Sequence, residues 1–511
     1  MLRRPPTEQG SKVLADLDRL DVITTERSRE LRRRVLAAKY AERIPVQSET
    51  YAGTLMPEEL RRPLIERALL RDAHPAAGIA LLFSHLATVP GPIVDRALGR
   101  EVRRWLADAG VLHIEDGRVT SALRLHVADG VFIWSDDPSG GADAVMPPGP
   151  TTVDLIRVMP ETLSGSVADI GTGPGSFALI AARRGATRVV ATDVNPRALE
   201  LARFNARFNE LTLEVREGDM FAPLGDERFD RVLSQPPYVT HPPSEPGVTF
   251  LHGGEKGDEL AFRFLDGLGA HLAPDGIGMA LFDSPVRIEA DIGDRVRRAL
   301  GAAPDVVVFS QPGIAMDRQA LGYAALADPT FGQRYRDAAV RYRDHLERQR
   351  IDAVTHSLVI VRAPRGSDAA GWTMSIEVAR FPERWAEALE FIRGIELAVA
   401  GEEAIAEAHV RPRDGMTMHI ERAAGASRDA ETRSVRFARP SIALDRELTP
   451  AGAVIFDLLA AEASVGSAIL RFAKAMERPP AEVRPLVTSF VKDCLVRALL
   501  VPADGEVIAV R

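Results

Sequence analysis

Three clusters of residues, in order along the chain, have the types and spacing to do chemistry. The first is Asp169-Ile170-Gly171-Thr172-Gly173-Pro174-Gly175-Ser176. The apolar run 166–170 reads as a buried strand, glycines at alternate positions break it, and 176–182 resumes as a helix that Gly185 can end. Glycines let a backbone turn sharply and come close to a ligand. A helix N-terminus aimed at the same point adds free N–H groups and a positive dipole end. This predicts a nucleotide-like pocket at the carboxyl edge of a parallel sheet. The second cluster is a pair of carboxylates. Asp193 ends the next strand, roughly twenty residues on, where a carboxylate can accept hydrogen bonds from both ribose hydroxyls. Asp219, in Gly218-Asp219-Met220, follows the third strand, where it can accept an adenine amino group while Met220 packs on the ring. The third cluster is Ser234-Gln235-Pro236-Pro237-Tyr238, which closes the fourth strand. Its two prolines stiffen the backbone, so the Pro236 carbonyl and the Gln235 side chain point at one spot on which Tyr238 can stack.

Neither the glycine loop nor Asp193 selects the ligand alone. A dinucleotide loop of the G-x-G-x-x-G kind has a glycine where Ser176 stands, and a ribose-binding carboxylate also suits NAD. Asn195-Pro196 are accounted for as the N-cap and first-turn proline of the next helix. Other residues are weaker. His241 and His252 lie on loops after the third cluster, where either could act as a base, although a loop histidine usually has no such role. The run 253–258 reads as a flexible substrate-side loop. The arginines Arg32-Arg33-Arg34 read as one face of a solvated helix. The one cysteine, Cys494, falls in an apolar helical pattern and reads as a core residue. No spacing suits a metal, and no nucleophile elbow is present.

The elements that must position these residues alternate regularly. Strands are expected at 167–170, 188–192, 213–216, 231–233, 277–282, 306–309 and 357–361. Helices are expected at 176–183, 196–209, 258–272 and 288–300. This is the βαβ alternation of a doubly wound α/β sheet. A charged helical insertion, 317–350, interrupts it and could cap the site or mediate a contact. Ahead of the sheet lie a helix at 24–44, then helices at 79–86, 92–98 and 100–109, and a hairpin formed by 112–114 and 119–125. A further turn falls at Asp129-Gly130. Three helices and a hairpin suggest a winged-helix-like module; its third helix carries Arg100, Arg103 and Arg104 but also Glu101 and Asp108, which makes packing or substrate gating a better reading than nucleic-acid binding. The segment 136–150 is a linker and 151–158 a helix. Beyond Pro364 a strand at 373–378, a helix at 385–395, a polar loop at 425–433 and helices at 451–461, 465–476 and 481–499 precede a hairpin turning at Asp504-Gly505. That is a second helical, winged-helix-like module. The expected division is 1–145, 146–365 and 366–511.

At 511 residues the chain should fold as roughly two to four domains. Hydrophobic residues at 46% and charged residues at 27% fit a globular protein. A net charge of −8 and a pI of about 5.9 exclude a general attraction to nucleic acid or anionic membrane. Positive charge is almost all arginine, as a GC-rich genome would produce. The absence of paired cysteines, of an apolar signal core and of any membrane-length apolar run points to the cytoplasm.

With all three clusters in order, the sequence resembles the class I S-adenosylmethionine (SAM) methyltransferases. More narrowly, it resembles the branch with Asn/Asp-Pro-Pro-Tyr/Phe after the fourth strand, which includes release-factor glutamine, small ribosomal RNA guanine and DNA amino-methyltransferases. The resemblance covers about 151–364. From 76 to 238 the chain also looks like bacterial methyltransferases with a helical, winged-helix-like N-terminal domain. The likeness implies a seven-stranded Rossmann-like core. It implies SAM as cofactor and S-adenosylhomocysteine as product, held by Asp169, Gly171, Thr172, Gly173, Gly175, Asp193, Val194, Asn195, Asp219, Met220 and Gln235. It implies catalysis by Gln235, Pro236 and Tyr238, with amide oxygens orienting a planar nitrogen nucleophile toward the sulfonium methyl. Such a displacement needs in-line positioning more than acid–base catalysis. Gln235 departs from the family's Asn or Asp by one methylene, which leaves a glutamine amide, another nitrogen or an oxygen as acceptor, or an inactive relic. A peptide or protein substrate is expected ahead of RNA or a small molecule. A SAM-binding scaffold without catalysis, recruitment of a leader peptide by the C-terminal module, and a homodimer are further expectations.

Overall fold

The computed structural model describes residues 14–43, 58–245, 247–286, 291–328, 331–364, 370–421, 432–437, 445–462 and 464–503. They group into two compact units, the first drawn from Met1–Ile156, Thr162–Arg287 and Ile314–Val354, the second from Arg157–Glu161, Ile288–Gly313 and Thr355–Arg511. The three consecutive segments expected from the sequence are therefore not the compact units.

The first unit begins with α1 (Thr25–Ala37), capped by the Thr24 hydroxyl accepting Arg27 N–H. After a helix over Glu58–Arg71 come α2 (Pro75–Ile79), the two-residue strand β1 (Val89–Pro90), α3 (Gly91–Leu98), α4 (Arg100–Asp108) and the hairpin β2 (Leu112–Glu115) with β3 (Arg118–Ser121). Their small sheet has the order β1-β3-β2. Asp116 and Gly117 both have positive φ, the backbone a tight two-residue hairpin requires. The strand expected at 119–125 is in fact two. The Ser121 hydroxyl accepts Leu123 N–H and donates to Leu123 O, a local turn that ends β3 and starts β4 (Arg124–Ala128). Strand β4 turns at Asp129-Gly130 into β5 (Val131–Ser135), every residue of which is buried.

After α5 (Pro150–Val158) the unit becomes a parallel sheet. Its strands are β6 (Ser166–Ile170), β7 (Arg188–Asp193), β8 (Glu214–Glu217), β9 (Phe229–Ser234) and β10 (Leu272–Pro285), in the order β10-β9-β6-β7-β8. The crossovers are α6 (Ser176–Arg183), α7 (Pro196–Asn209) and α8 (Glu259–His271). Runs such as Val189-Val190-Ala191 and Met279-Ala280-Leu281-Phe282 are buried, as strands covered on both faces must be. The chain steps from β6 out to β8 and returns to β9 on the other side of β6. The loops after β6, β7, β8 and β9 thus open along one sheet edge, beside a topological switch point.

Helix α7 ties β5 to this sheet through two buried amides. Asn205 accepts Trp134 N–H (2.8 Å) and donates to Trp134 O (2.8 Å); Asn209 accepts Phe132 N–H (2.9 Å) and donates to Phe132 O (2.6 Å). The four-residue step from Asn205 to Asn209, about 6 Å of helix, matches two residues of strand, so side chains stand in for a neighbouring strand. This is why 1–145 does not separate from the parallel sheet. The insertion forms α9 (Met316–Ala327) and α10 (Gln333–Arg348), whose Tyr323, Ala324, Ala338, Tyr342 and Leu346 pack with Val239 and Leu251.

In the second unit, Asp305–Ser310 pairs antiparallel with Ser357–Arg362 and parallel with Thr373–Glu377. The expected strand near 373 therefore belongs with 305–310, although the sequence places it beyond the sheet domain. Helices Trp385–Val399, Pro450–Ala461, Val465–Ala475 and Pro480–Val496 share a core with Val410, Val435 and Leu448. Cys494 lies in that core, 1% exposed, and burial pushes its thiol up to about 12. Thr432 and Arg433, expected in a polar loop, instead open the strand Thr432–Phe437. Leu500–Pro502 pairs with Val410–Pro412, while the turn expected at Asp504-Gly505 lies outside the described residues, as do 288–290 at the start of one expected helix.

Candidate active site

Along the open sheet edge, β6 delivers Asp169 and then the glycine loop. Asp169 is fully buried; its Oδ2 accepts the Thr172 hydroxyl (2.6 Å) and Ala178 N–H (3.0 Å), while its Oδ1, also buried, has no partner among the described residues. Burial raises this carboxyl to about 7, against the two hydrogen bonds and with the nearby Asp193 adding to the rise. Gly171 and Gly173 have φ of 71° and 55°, and a Cβ on either would meet nothing within 4 Å. That open space lies where the loop can cradle a ligand, and positive φ favours glycine there. Gly175 packs the other way, against Leu179 and Ala202, and fits the start of α6.

Asp193, at the end of β7, accepts Gly173 N–H (2.8 Å) and Asn195 N–H (2.9 Å), so it braces the loop it faces. Burial raises its carboxyl while these bonds pull it down. Val194 beside it is 49% exposed, an apolar surface on the sheet edge. Asn195 caps α7 by accepting Arg197 N–H and donates to Asp143 O, which employs its amide structurally. Asp219 sits after β8 in an exposed ion pair with Arg263 (2.6 Å), and Met220 follows with positive φ. The two carboxylates expected at one ligand are thus in different settings, one braced and mostly buried, one exposed.

The residues after β9 form the remaining wall. The Gln235 amide is held at both ends, Nε2 donating to Thr151 Oγ1 (2.5 Å) and Oε1 accepting from Thr152 Oγ1 (2.7 Å). Thr151 Oγ1 also shares a hydrogen bond with the Tyr238 hydroxyl (3.1 Å). Burial, with Asp283 nearby, pushes that phenol up to about 12. Pro237 O lies against the backbone of Gly253, where a Cβ would collide with it and with Gly257 O. The run 253–258 is not the loose loop expected. His252–Gly254 pairs with Val239–Thr240, Thr240 donates to Glu255 O and His241 N–H donates to Gly254 O.

Helices α9 and α10 close over this segment. His252 accepts Val248 N–H at Nδ1 (3.0 Å) and meets the Tyr342 hydroxyl at Nε2 (3.1 Å), while its ring stacks on His241 at 4.3 Å. Burial and His241 hold it down at about 4, and the His241 Nε2 is engaged with Glu245 O (3.0 Å). His345 and Gln349 reach Glu255, and Arg341 pairs with Glu245. Gln319 of α9 donates to Asp283 at the end of β10 (3.3 Å). The insertion therefore caps the segment after the motif, one of the two roles open from sequence.

The structure brings together Asp169, Gly171, Thr172, Gly173, Asp193, Val194 and the Gln235–Tyr238 motif along one edge, and leaves Asn195 in structural duty. Thr151, Thr152, Gly253 and Asn205 were not legible as site residues. Thr151-Thr152 after Pro150 carried only a helix-start signal. Basic candidates are neutralised nearby: Arg32 pairs with Glu210, Arg33 and Arg34 with Glu30, and Arg100 and Arg103 with Asp95. Among the described residues no acidic, histidine or cysteine cluster could hold a metal, and no helix is long and apolar enough to cross a membrane.

The chain is similar to known proteins. The family model described as the methyltransferase small domain matches residues 150–251. A putative protein N5-glutamine methyltransferase of Methanocaldococcus jannaschii is 30% identical over 144 residues, 27% of this chain and 73% of that protein. A release factor glutamine methyltransferase of Koribacter versatilis is 31% identical over 218 residues, 37% of this chain and 78% of that protein. A ribosomal protein uL3 glutamine methyltransferase of Bradyrhizobium diazoefficiens is 38% identical over 122 residues, 22% of this chain and only 38% of that protein.

Proposed function

Because the chain belongs to the class I SAM-dependent methyltransferases that carry the methyltransferase small domain, we propose that it methylates a side-chain amide nitrogen of a peptide or protein. The observation that carries this reading is the placement of Gln235-Pro236-Pro237-Tyr238 on the same sheet edge as the glycine loop. The relatives' substrates by name, glutamines of a release factor and of a ribosomal protein, favour the same acceptor class. Neutralised arginines in α1 and α4 count against RNA.

The residues present fit the cofactor. A buried oxygen without a partner, Asp169 Oδ1, suits an ammonium group. Gly171 and Gly173 leave room for the ligand's backbone-like chain, Asp193 has further lone pairs for ribose hydroxyls, and Val194 and Met220 offer surface to a base. Bound SAM supplies a methyl group on a positively charged sulfur, which a nucleophile displaces in line. The protein's own task is orientation. Pro236 O and the Gln235 amide accept or direct the acceptor's N–H groups, Tyr238 flanks its plane, and the α9–α10 cap keeps water from the approach. Cytoplasmic action and a substrate-selecting role for 1–145 and 366–511 belong to the same reading.

The test is to incubate purified protein and SAM carrying a deuterated methyl group with material from the native host lacking this gene. Mass spectrometry should find the label on a glutamine or asparagine side chain of a protein. Label confined to RNA or to small molecules would overturn the acceptor class, and no label together with no SAM binding by calorimetry would overturn the enzyme reading itself.

A further inference from the structure

The Gln235 side chain is one methylene longer than the Asn or Asp of the family pattern that the motif resembles, and α5 supplies what it reaches. Nε2 of Gln235 donates to Thr151 Oγ1 at 2.5 Å, and Thr152 Oγ1 donates to Oε1 at 2.7 Å. The second hydroxyl is itself anchored upstream. Thr152 Oγ1 also accepts Gly149 N–H at 3.2 Å, which ties it to the start of α5. Thr151 Oγ1 is shared with the Tyr238 hydroxyl, so the amide and the ring meet on one oxygen. Thr152 is 8% exposed, so water does not compete freely for it. The amide thus donates at one end and accepts at the other, with one threonine hydroxyl at each end.

We propose that Thr151 and Thr152 are positioning residues that fix the reach and direction of the Gln235 amide, which leaves one lone pair of Oε1 for the methyl acceptor. This rests on the reading that Gln235 meets the acceptor. It explains how a motif with one extra methylene stays in register: the added length is spent reaching the first turn of α5. It also connects acceptor positioning to the preceding linker, which is itself held by Asp136 accepting Val145 N–H (2.9 Å) and Asn195 donating to Asp143 O (3.0 Å). An asparagine at 235 would fall short of both hydroxyls.

The experiment compares Thr152→Val, Thr152→Ser, Thr151→Val, Gln235→Ala and Gln235→Asn in the full chain. Rates of tritium transfer from labelled SAM into protein from the native host lacking this gene are measured beside SAM Kd by calorimetry. Thr152→Val and Gln235→Asn should each lower the rate about 10-fold, as loss of an orienting bond does, with SAM Kd within about twofold. Thr152→Ser, which keeps the hydroxyl, should recover most of the rate, and Thr152→Val should add little to Gln235→Ala. A fall with Gln235→Ala but none with Thr152→Val and Gln235→Asn would overturn the positioning role and leave the site reading intact. No fall with Gln235→Ala would overturn the site reading instead. Selective glutamine ¹⁵N labelling tests the same point without an acceptor. The side-chain amide signal that disappears in Gln235→Ala should move to free-amide shifts in Thr151→Val and Thr152→Val, and an unmoved signal would refute the proposal.

Discussion

Replacing Asp169 by asparagine should make this protein less sensitive to pH while damaging its ligand site. A carboxyl held near 7 in the folded state instead of 3.8 costs on the order of 4 kcal/mol once fully ionised. The sign follows from the raised value. The folded state favours the neutral acid, so this group's contribution to stability is fully present below pH 3.8 and is lost as pH rises through about 7. Between pH 5.5 and 7.5 the loss amounts to about 2 kcal/mol. The substituted amide would keep an oxygen for Thr172 and Ala178 but put a nitrogen where Oδ1 lies, a cost that does not vary with pH. The quantity to read is therefore a slope. In thermal unfolding without SAM, the stability of Asp169→Asn relative to the native chain should rise by about 2 kcal/mol from pH 5.5 to 7.5, a shift of a few degrees. The ligand tests the same charge from the other side. If a bound ammonium keeps the carboxylate ionised, native SAM Kd should tighten about 25-fold over that range, and the variant should bind weakly with no such trend. Parallel pH slopes for native and variant proteins, with or without SAM, would refute the reasoning.

Two further outcomes are expected. Gly253→Ala would drive a Cβ into Pro237 O and Gly257 O, so turnover should fall at least about 10-fold with SAM Kd little changed; unchanged turnover would show that the motif backbone does not depend on this contact. Asn205→Ala with Asn209→Ala would strand the N–H and C=O groups of Phe132 and Trp134 in the interior. A loss of roughly 3–5 kcal/mol is expected, read as a fall in melting temperature, and SAM affinity should fall too because Asn205 also donates to Pro174 O in the glycine loop (2.8 Å).

Much of the first unit was legible because its signals are local. A strand broken by alternating glycines, an acidic strand end and a proline-stiffened turn each depend on a few adjacent residues, and β6, β7, β9 and their helices fall within a residue or two of expectation. What failed was non-local. Thr373–Glu377 looked like the start of another domain because nothing in its own sequence names Asp305–Ser310 as its partner. The supposedly loose run 253–258 is ordered by contacts to Pro237, Thr240 and α10, and the purpose of the insertion appeared only when Tyr342 and His345 were found against His252 and Glu255.

The sequence by itself therefore determined the family and the order of its motifs along the chain: a glycine loop, Asp193 and the Gln235–Tyr238 motif in the order of a SAM-dependent methyltransferase. Tertiary structure decided how that chemistry is aimed. Gln235 read alone is an asparagine replaced by a longer amide, with its direction undefined. Its direction is set by Thr151 and Thr152, more than eighty residues earlier in the chain, because hydrogen bonds depend on distance in space and carry no trace in local sequence pattern.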